Sequence, residues 1–412
     1  MKKNAKKDYG KLALKVHEKF GGKISLISKM PIKTKDDLSI AYTPGVAAVC
    51  MEINKGKVED QKNQNKISKE FLNTKKFTLK KNTIAVVSDG SAVLGLGNIG
   101  ANGAIPVMEG KAAIMKNFAN VDAFPICINS QDTEEIIKIV KNIAPVFGGI
   151  NLEDIAAPKC FEIEERLIQE LDIPVMHDDQ WGAATVSLAG LINALKVVKK
   201  DLNKCTVVVS GVGAAGVATI KLIKAYAKDV KIIAVDSVGI IAKNREDIVD
   251  QKNKIKNKVK LGLIKEEIIF SEMSGNLENA LLKADIFIGL SKPGIVTVEM
   301  VKNMNISPII FALANPLPEI MPEEAYKAGA AIVGTGRSDF SNQINNSVFF
   351  PGFWRGMLDR KDFSKNYDLK MLTKVAEAIA KFTKKPNKNQ ILPNTLDKKV
   401  HLEVAKVVRN YK

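Results

Sequence analysis

The sequence predicts an α/β chain of two units, each built on a mostly parallel sheet with helices on both faces. Three observations carry this. At 412 residues the chain is longer than one hydrophobic core normally grows, so two domains are the natural division. From Thr83 onward, short apolar runs alternate with amphipathic stretches in the βαβα manner of parallel sheets. At Gly211 a glycine-rich turn joins an apolar run to a helical one, the local pattern of a doubly wound sheet.

Residues 6–20 have helical spacing and close on Gly21-Gly22, after which an irregular run reaches the turn signal Ala41-Tyr42-Thr43-Pro44-Gly45. Residues 54–82 are polar and rich in Lys and Asn, a helix or insertion in which no functional group is expected. A strand over 83–87 follows, then a loop holding Gly90, Gly95, Gly97, Gly100 and Gly103, a helix over about 105–118, a strand over 124–128 and a helix over 133–143. Residues 147–152 lead to Glu153-Asp154. Beyond them Ile163, Leu167, Ile168 and Leu171 mark one face of a helix, and 173–176 form a short buried strand ending in His177-Asp178-Asp179. A long helix over about 182–199 opens the second unit, with a strand at 205–209, a helix to about 227 and a strand at 230–235 that ends in Asp236. Further strands at 286–290, 308–314 and 330–334 continue the sheet, and helices after 340, 370 and 397 close the chain. The expected domains are 1–180, 181–350 and a set of C-terminal helices, 351–412, packing back on both.

Hydrophobic residues make up 46% of the chain, which supports a folded globular protein. The formal net charge is +17, but only six of the 62 basic residues are Arg, and the lysines are scattered rather than clustered with aromatics. That distribution argues against nucleic acid as a partner, while the field still favours a dianionic substrate. No stretch reaches 18 uninterrupted apolar residues, and the start of the chain lacks the apolar core of a signal peptide, so no membrane partner and a cytoplasmic location are expected. The four cysteines, Cys50, Cys127, Cys160 and Cys205, are widely spaced and form no C-x-x-C, which argues against zinc and against a disulfide framework.

The doublets Glu153-Asp154 and Asp178-Asp179 stand 25 residues apart, each after an apolar run. Crowded carboxylates repel unless a proton or a cation lies between them, and Mg²⁺ or Mn²⁺ selects all-oxygen sites of this kind. Taken alone, they read equally well as solvated loop charges. In a parallel sheet, however, both lie at the carboxyl ends of strands, where ligands gather.

Gly211, Val212, Gly213, Ala214, Ala215 and Gly216 fit G-x-G-x-x-G, with strand, helix and second strand in place around them. The first glycine permits the tight turn, the second the approach of a pyrophosphate, and the third close packing of helix on strand. Asp236, 20 residues past Gly216, stands where a carboxylate binds ribose hydroxyls. Its uncharged neighbours Ser237 and Val238 favour NAD, with NADP the alternative. The unit is therefore Rossmann-like. The earlier stretch from Asp89 to Gly103, followed by Gly110-Lys111, does not fit a Walker A loop, because six residues separate Gly103 from Gly110 and Ala112 holds the Ser/Thr position. Lys111 instead stands alone in an apolar helix; burial beside a metal would depress its pKa toward that of a general base, whereas frequency alone would make it one more surface lysine.

Six segments in this order, AYTPGVA at 41–47, VSDGSAVLGLGNIG at 87–100, PVMEGK at 106–111, NLED at 151–154, HDDQ at 177–180 and ANP at 314–316, resemble the malic enzymes of the short bacterial type, over roughly residues 25–360. The resemblance implies an N-terminal catalytic domain, a Rossmann-like NAD(P) domain, and oxidative decarboxylation of (S)-malate to pyruvate and CO₂ with NAD, or NADP, and Mg²⁺ or Mn²⁺. It implies Tyr42 as general acid, Lys111 as general base in contact with substrate, and Glu153, Asp154 and Asp179 as metal ligands. Asp178 would relay protons or orient, Asn315 would meet the nicotinamide or substrate, and Asn345 and Asn346 the substrate. On residue type alone, Asn315 reads as a turn residue and Asn345-Asn346 as a helix start. A homodimer is expected by the same resemblance.

Three departures stand out. Trp181 follows Gln180 where the family usually carries His; Ala92 stands where the long type carries an Arg for a malate carboxylate; and the segment between Tyr42 and Asp89 is longer than usual. The competing readings are a malolactic conversion of malate to lactate, and a non-catalytic nucleotide sensor on the same fold.

Overall fold

A computed structural model describes residues 8–63, 68–93, 95–250, 254–361 and 366–412. Residues 6 and 7 of the first expected helix, 64–67 of the polar segment and Leu94 of the glycine-rich loop lie outside the described residues. The chain opens with α1 (Tyr9–Phe20), α2 (Lys35–Ala41), α3 (Gly45–Asn63) and α4 (Lys69–Phe77), so the polar segment is helical at both ends. Asp8 caps α1, and Gly21 ends it at φ 63°, as the glycine pair predicts.

The first sheet runs β1 (Thr83–Ser88), α5 (Gly100–Ala119), β2 (Asp122–Cys127), α6 (Thr133–Ile143), β3 (Gly149–Leu152), α7 (Lys159–Glu170) and β4 (Val175–His177). Its strands are all parallel, in the order β2-β1-β3-β4. Every residue of β1 is buried because both faces are covered: Ile84 and Val86 face the core that includes Met108 and Met115 of α5, while Ala85 and Val87 face Ile137, Val140 and Leu167 of α6 and α7. Strand order reverses between β1 and β3, and Glu153 follows β3 at that switch point.

α8 (Asp178–Val198) begins at the second doublet, four residues earlier than the pattern suggests, because Asp178 and Asp179 form its first turn. By length and composition it is the one described helix able to cross a membrane, yet 72% of that window is buried inside the protein. Its buried residues share one hydrophobic cluster with Ile84, Val86 and Met176 of the first sheet and with Val207 and Val209 further along the chain.

The second sheet is β5 (Thr206–Ser210), α9 (Ala214–Tyr226), β6 (Lys231–Val235), α10 (Lys258–Lys265), α11 (Leu277–Leu281), β7 (Ile286–Gly289), α12 (Val298–Lys302), β8 (Ile309–Ala312), α13 (Pro322–Lys327) and β9 (Ile332–Thr335). It is parallel throughout, in the order β6-β5-β7-β8-β9, so its switch point falls between β5 and β7 beside Gly211. α14 (Phe350–Asp359), α15 (Leu369–Phe382) and α16 (Lys398–Asn410) close the chain. α14 and α16 pack on α5, and α15 packs on α8 and α9.

The joint between α14 and the first sheet leaves no room at Gly149, where a Cβ would stand 2.5 Å from Trp354 and 3.0 Å from Ile84. Trp354 is fully buried and donates its indole N–H to Asn151 Oδ1 at 2.8 Å. Gly149→Ala is expected to destabilise the protein by about 1–3 kcal/mol through overpacking, read as a lower urea midpoint. An unchanged midpoint would mean that α14 does not seat on β3 in this way.

Candidate active site

The carboxyl ends of β3 and β4 deliver both doublets to one place. Asp154 adopts a left-handed backbone (φ 54°), which breaks the strand's alternation so that neighbouring side chains serve the same side. Its N–H donates to Asp179 Oδ2 at 2.7 Å, and its carbonyl accepts from Ala92 N at 2.9 Å, tying the two doublets to the glycine-rich loop. Carboxylate oxygens of Glu153, Asp154 and Asp179 lie within 4.8 Å of one another. Asp178 is not in that group.

Lys111 is buried among these acids. Pro106 lies on the exposed side of α5, but the opposite face, with Met108, Lys111, Ala112 and Met115, is buried. The ammonium stands 2.6 Å from Glu153 Oε1, pairs with Asp178 Oδ2, and lies 4.3 Å from the centre of the Phe350 ring. Burial pulls its pKa down, but the carboxylates of Asp178 and Glu153 outweigh that and hold it above the ordinary lysine value. The expected depression is tied to a metal beside the amine; in the protein's own field the acids favour the protonated form. The acids move the other way. Burial pushes Glu153 and Asp178 up to about 7 and Asp179 up to about 6, against the pull of Lys111.

Each acid is held by groups that the sequence did not reveal. Asn151 donates to Glu153 Oε2 at 2.9 Å and is itself held by Trp354. Glu164, buried on α7, accepts from His177 N at 2.7 Å, Gln180 Nε2 at 2.9 Å, Trp181 Nε1 at 3.1 Å and Tyr367 OH at 2.7 Å, and so fixes the turn that carries Asp178 and Asp179. Trp181 therefore points its polar edge at Glu164 rather than at the acid cluster. The signal for Glu164 was present, since Cys160, Ile163, Glu164 and Leu167 share one helical face. At Gly182 a Cβ would lie 2.0 Å from Asp178 Oδ1, so a glycine is needed one turn beyond that acid.

Asn346 Nδ2 donates to Asp178 Oδ2 at 2.8 Å, which puts it in the cluster. Asn345 instead accepts from Ser347 N at 2.9 Å and starts a short helix, the reading its residue type favoured. Asn315 donates to Leu313 O at 3.1 Å, and its carbonyl abuts Gly95, where a Cβ would be 3.0 Å away; the loop after β8 thus meets the glycine-rich loop of the first unit. Tyr42 caps the end of α2 and is 70% exposed, on an arm where Tyr9, Leu14, Phe20, Leu26 and Ile27 are exposed as well.

The dinucleotide turn has the shape its glycines predict. Gly211 has φ 97°, and a Cβ there would lie 2.4 Å from Leu290 O; one on Gly216 would lie 1.8 Å from Gly211 O; one on Gly213 would meet nothing within 4 Å. Val212 lies in the turn, Gly213 is the N-cap of α9, and Ala214 and Ala215 begin the helix. Asp236 departs from expectation, because its carboxylate is already occupied. Arg245 grips it through two bonds of 2.8 and 2.9 Å, Lys260 Nζ stands at 2.5 Å, and the amides of Val238 and Gly239 donate at 2.9 and 3.2 Å. Cations thus flank Asp236, but they come from 9 and 24 residues downstream rather than from its neighbours.

Residues 21–168 match the family model of the malic enzyme N-terminal domain, and residues 181–411 that of the malic enzyme NAD binding domain. An NAD-dependent malic enzyme of Geobacillus stearothermophilus is 48% identical over 393 residues, covering 94% of this chain and 76% of the relative. A bifunctional malic/malolactic enzyme of Bacillus subtilis is 47% identical over 399 residues, covering 96% and 91%. The crystal structure of an NAD-dependent malic enzyme from Thermotoga maritima matches with a TM-score of 0.86 at 44% identity, covering 97% of this chain and 99% of that one.

The Asp236 cluster has a pH signature. Burial alone would raise this carboxyl, but the donors from Arg245 and Lys260 prevail and hold it at about 2. A depressed acid contributes stability above its unfolded pKa and loses it as pH falls through the folded value. Asp236→Asn should therefore cost stability at pH 7, and its deficit should shrink by about half between pH 5 and pH 3, as followed by urea unfolding. A deficit constant with pH would show that the charge is not what these donors hold.

Proposed function

Because the chain belongs to the malic enzyme family, we propose that it catalyses the oxidative decarboxylation of (S)-malate to pyruvate and CO₂ with reduction of NAD. The observation that carries this reading is a buried lysine set between Glu153 and Asp178, beside three clustered carboxylates, in a chain that also has an open dinucleotide turn. The donor set of Glu153, Asp154 and Asp179 is all oxygen and more negative than one lysine neutralises, which suits Mg²⁺ or Mn²⁺. Bound there, a divalent cation supplies Lewis acidity to the C2 oxygen of the substrate, and NAD on the glycine turn supplies the hydride acceptor.

Lys111 is placed to take the C2 hydroxyl proton once the acids that keep it protonated are shared with a cation. Asp178 is bonded to Lys111 and to Asn346 and stands outside the three-acid group; it orients the amine and can carry its proton onward. After CO₂ leaves from C4, C3 must gain a proton, and Tyr42 is the donor in this reading; Lys111 then returns the proton it took. A phenol does this best out of bulk water. A homodimer that buries the exposed apolar arm would provide that shelter, since an apolar surface of this extent marks an interface. The domain division near residue 180 fits the same reading, with acids and base supplied by the first unit and NAD held by the second.

Purified protein given malate, Mn²⁺ and NAD should accumulate NADH and pyruvate together, and a chelator should abolish turnover. Lactate formed without NADH would instead favour the malolactic route that the Bacillus subtilis relative's name includes. Lys111→Ala should lower kcat by roughly 10²–10⁴. Asp179→Asn should chiefly weaken Mn²⁺ binding, and Asp178→Asn chiefly kcat; equal effects of the two on metal affinity would remove the division of labour between them.

A further inference from the structure

A cavity of about 580 Å³ opens on the second unit between the start of β6 and α10, and neither the acid cluster nor the dinucleotide turn contributes to it. That volume is in the range of small-molecule sites. Its inner wall is aliphatic: Val230 and Ile232 at the edge strand of the sheet, Ile248 from the loop after β6, and Ile269 all line it and are all buried. Leu261 and Ile264 of α10 add to the lining and are only partly buried, so part of this apolar surface stays on water until something fills the space.

The rim is cationic. Four lysines and two glutamates line the cavity, and Lys243 is paired with Glu272, which leaves Lys224, Lys231 and Lys265 against Glu267. Lys224 spends a donor on Val230 O at 3.3 Å. Lys231 stands 3.9 Å from the centre of the Phe270 ring, and neither it nor Lys265 has a hydrogen bond or an acid partner among the described residues. A cation resting on a ring face is attracted to it but gives up none of its three N–H donors. Lys231 is therefore held at the rim with its donors available to an anion.

This place is separate from the nucleotide cleft. Lys231 begins β6 and Asp236 follows its other end, so roughly 16 Å of strand lies between the rim and the acid beside the dinucleotide turn.

We propose that the cavity is a binding site for an aliphatic carboxylate of medium chain length, with the chain against Ile232, Ile248 and Leu261 and the carboxylate on the rim at Lys231. A small polar anion alone would leave the aliphatic wall bare, and a neutral hydrocarbon would leave the lysine donors without a partner; one amphiphilic anion meets both. The inference goes beyond the malate reading and does not depend on it.

The test titrates decanoate, below its micellar concentration, calorimetrically into the full-length protein. Binding should saturate at one site per chain, and acetate should show none over the same range. Lys231→Gln combined with Lys265→Gln should weaken decanoate about tenfold or more, whereas Lys231→Arg should stay within about threefold of the wild type. Ile264→Asp, on the partly exposed side of α10, tests the chain end separately and should weaken binding by a similar factor. Saturating NAD should leave decanoate affinity unchanged. No saturable binding overturns the proposal, and so does binding indifferent to the rim and α10 changes, which would put decanoate on the exposed N-terminal arm. Displacement of decanoate by NAD overturns it too, because the ligand would then lie in the nucleotide cleft.

Discussion

One buried ammonium faces four carboxylates, and the rest of the site follows from that imbalance. Lys111 pairs with Glu153 and Asp178, but Asp154 and Asp179 share the same small volume, and burial raises the acids it does not fully balance. Such a cluster can lower its energy by holding protons or by binding a divalent cation. The surroundings fix several of these oxygens in place.

That fixing is done by the fold. Two parallel strands end side by side, and a left-handed residue, Asp154, lets adjacent side chains converge. Helices from elsewhere in the chain then hold the turn: Glu164 gathers the backbone of His177 and the side chains of Gln180 and Trp181, and Trp354 holds Asn151, which holds Glu153. A rigid shell of this kind keeps like charges close when they would otherwise spread. The same device recurs in the second unit, where Arg245 with all five donors used pins Asp236 at the end of β6.

Much of the architecture was legible because parallel strands buried on both faces read as short apolar runs, and both switch points were marked by glycines or acids. The doublets, Lys111 and the glycine turn are local in sequence and could be read there. What could not be read was tertiary. Arg245 and Lys260 reach Asp236 through α10 and a loop whose length carries no motif, and Trp354 meets Asn151 from 203 residues away. The direction of the Lys111 shift also depended on distances: burial and acids act oppositely on an amine, and only geometry says which prevails. Asn345 and Asn346 are adjacent and alike, yet one starts a helix and the other touches Asp178.

A divalent cation held by Glu153, Asp154 and Asp179 would displace protons that burial favours on the acids around Lys111. Titrating Mn²⁺ calorimetrically in two buffers of different ionisation enthalpy counts the protons released. With Glu153 and Asp178 raised to about 7 and Asp179 to about 6, binding at pH 6.5 should release on the order of one proton per ion. Binding with no proton release at pH 6.5 would contradict the account, because the acids would then be fully charged before the metal arrives.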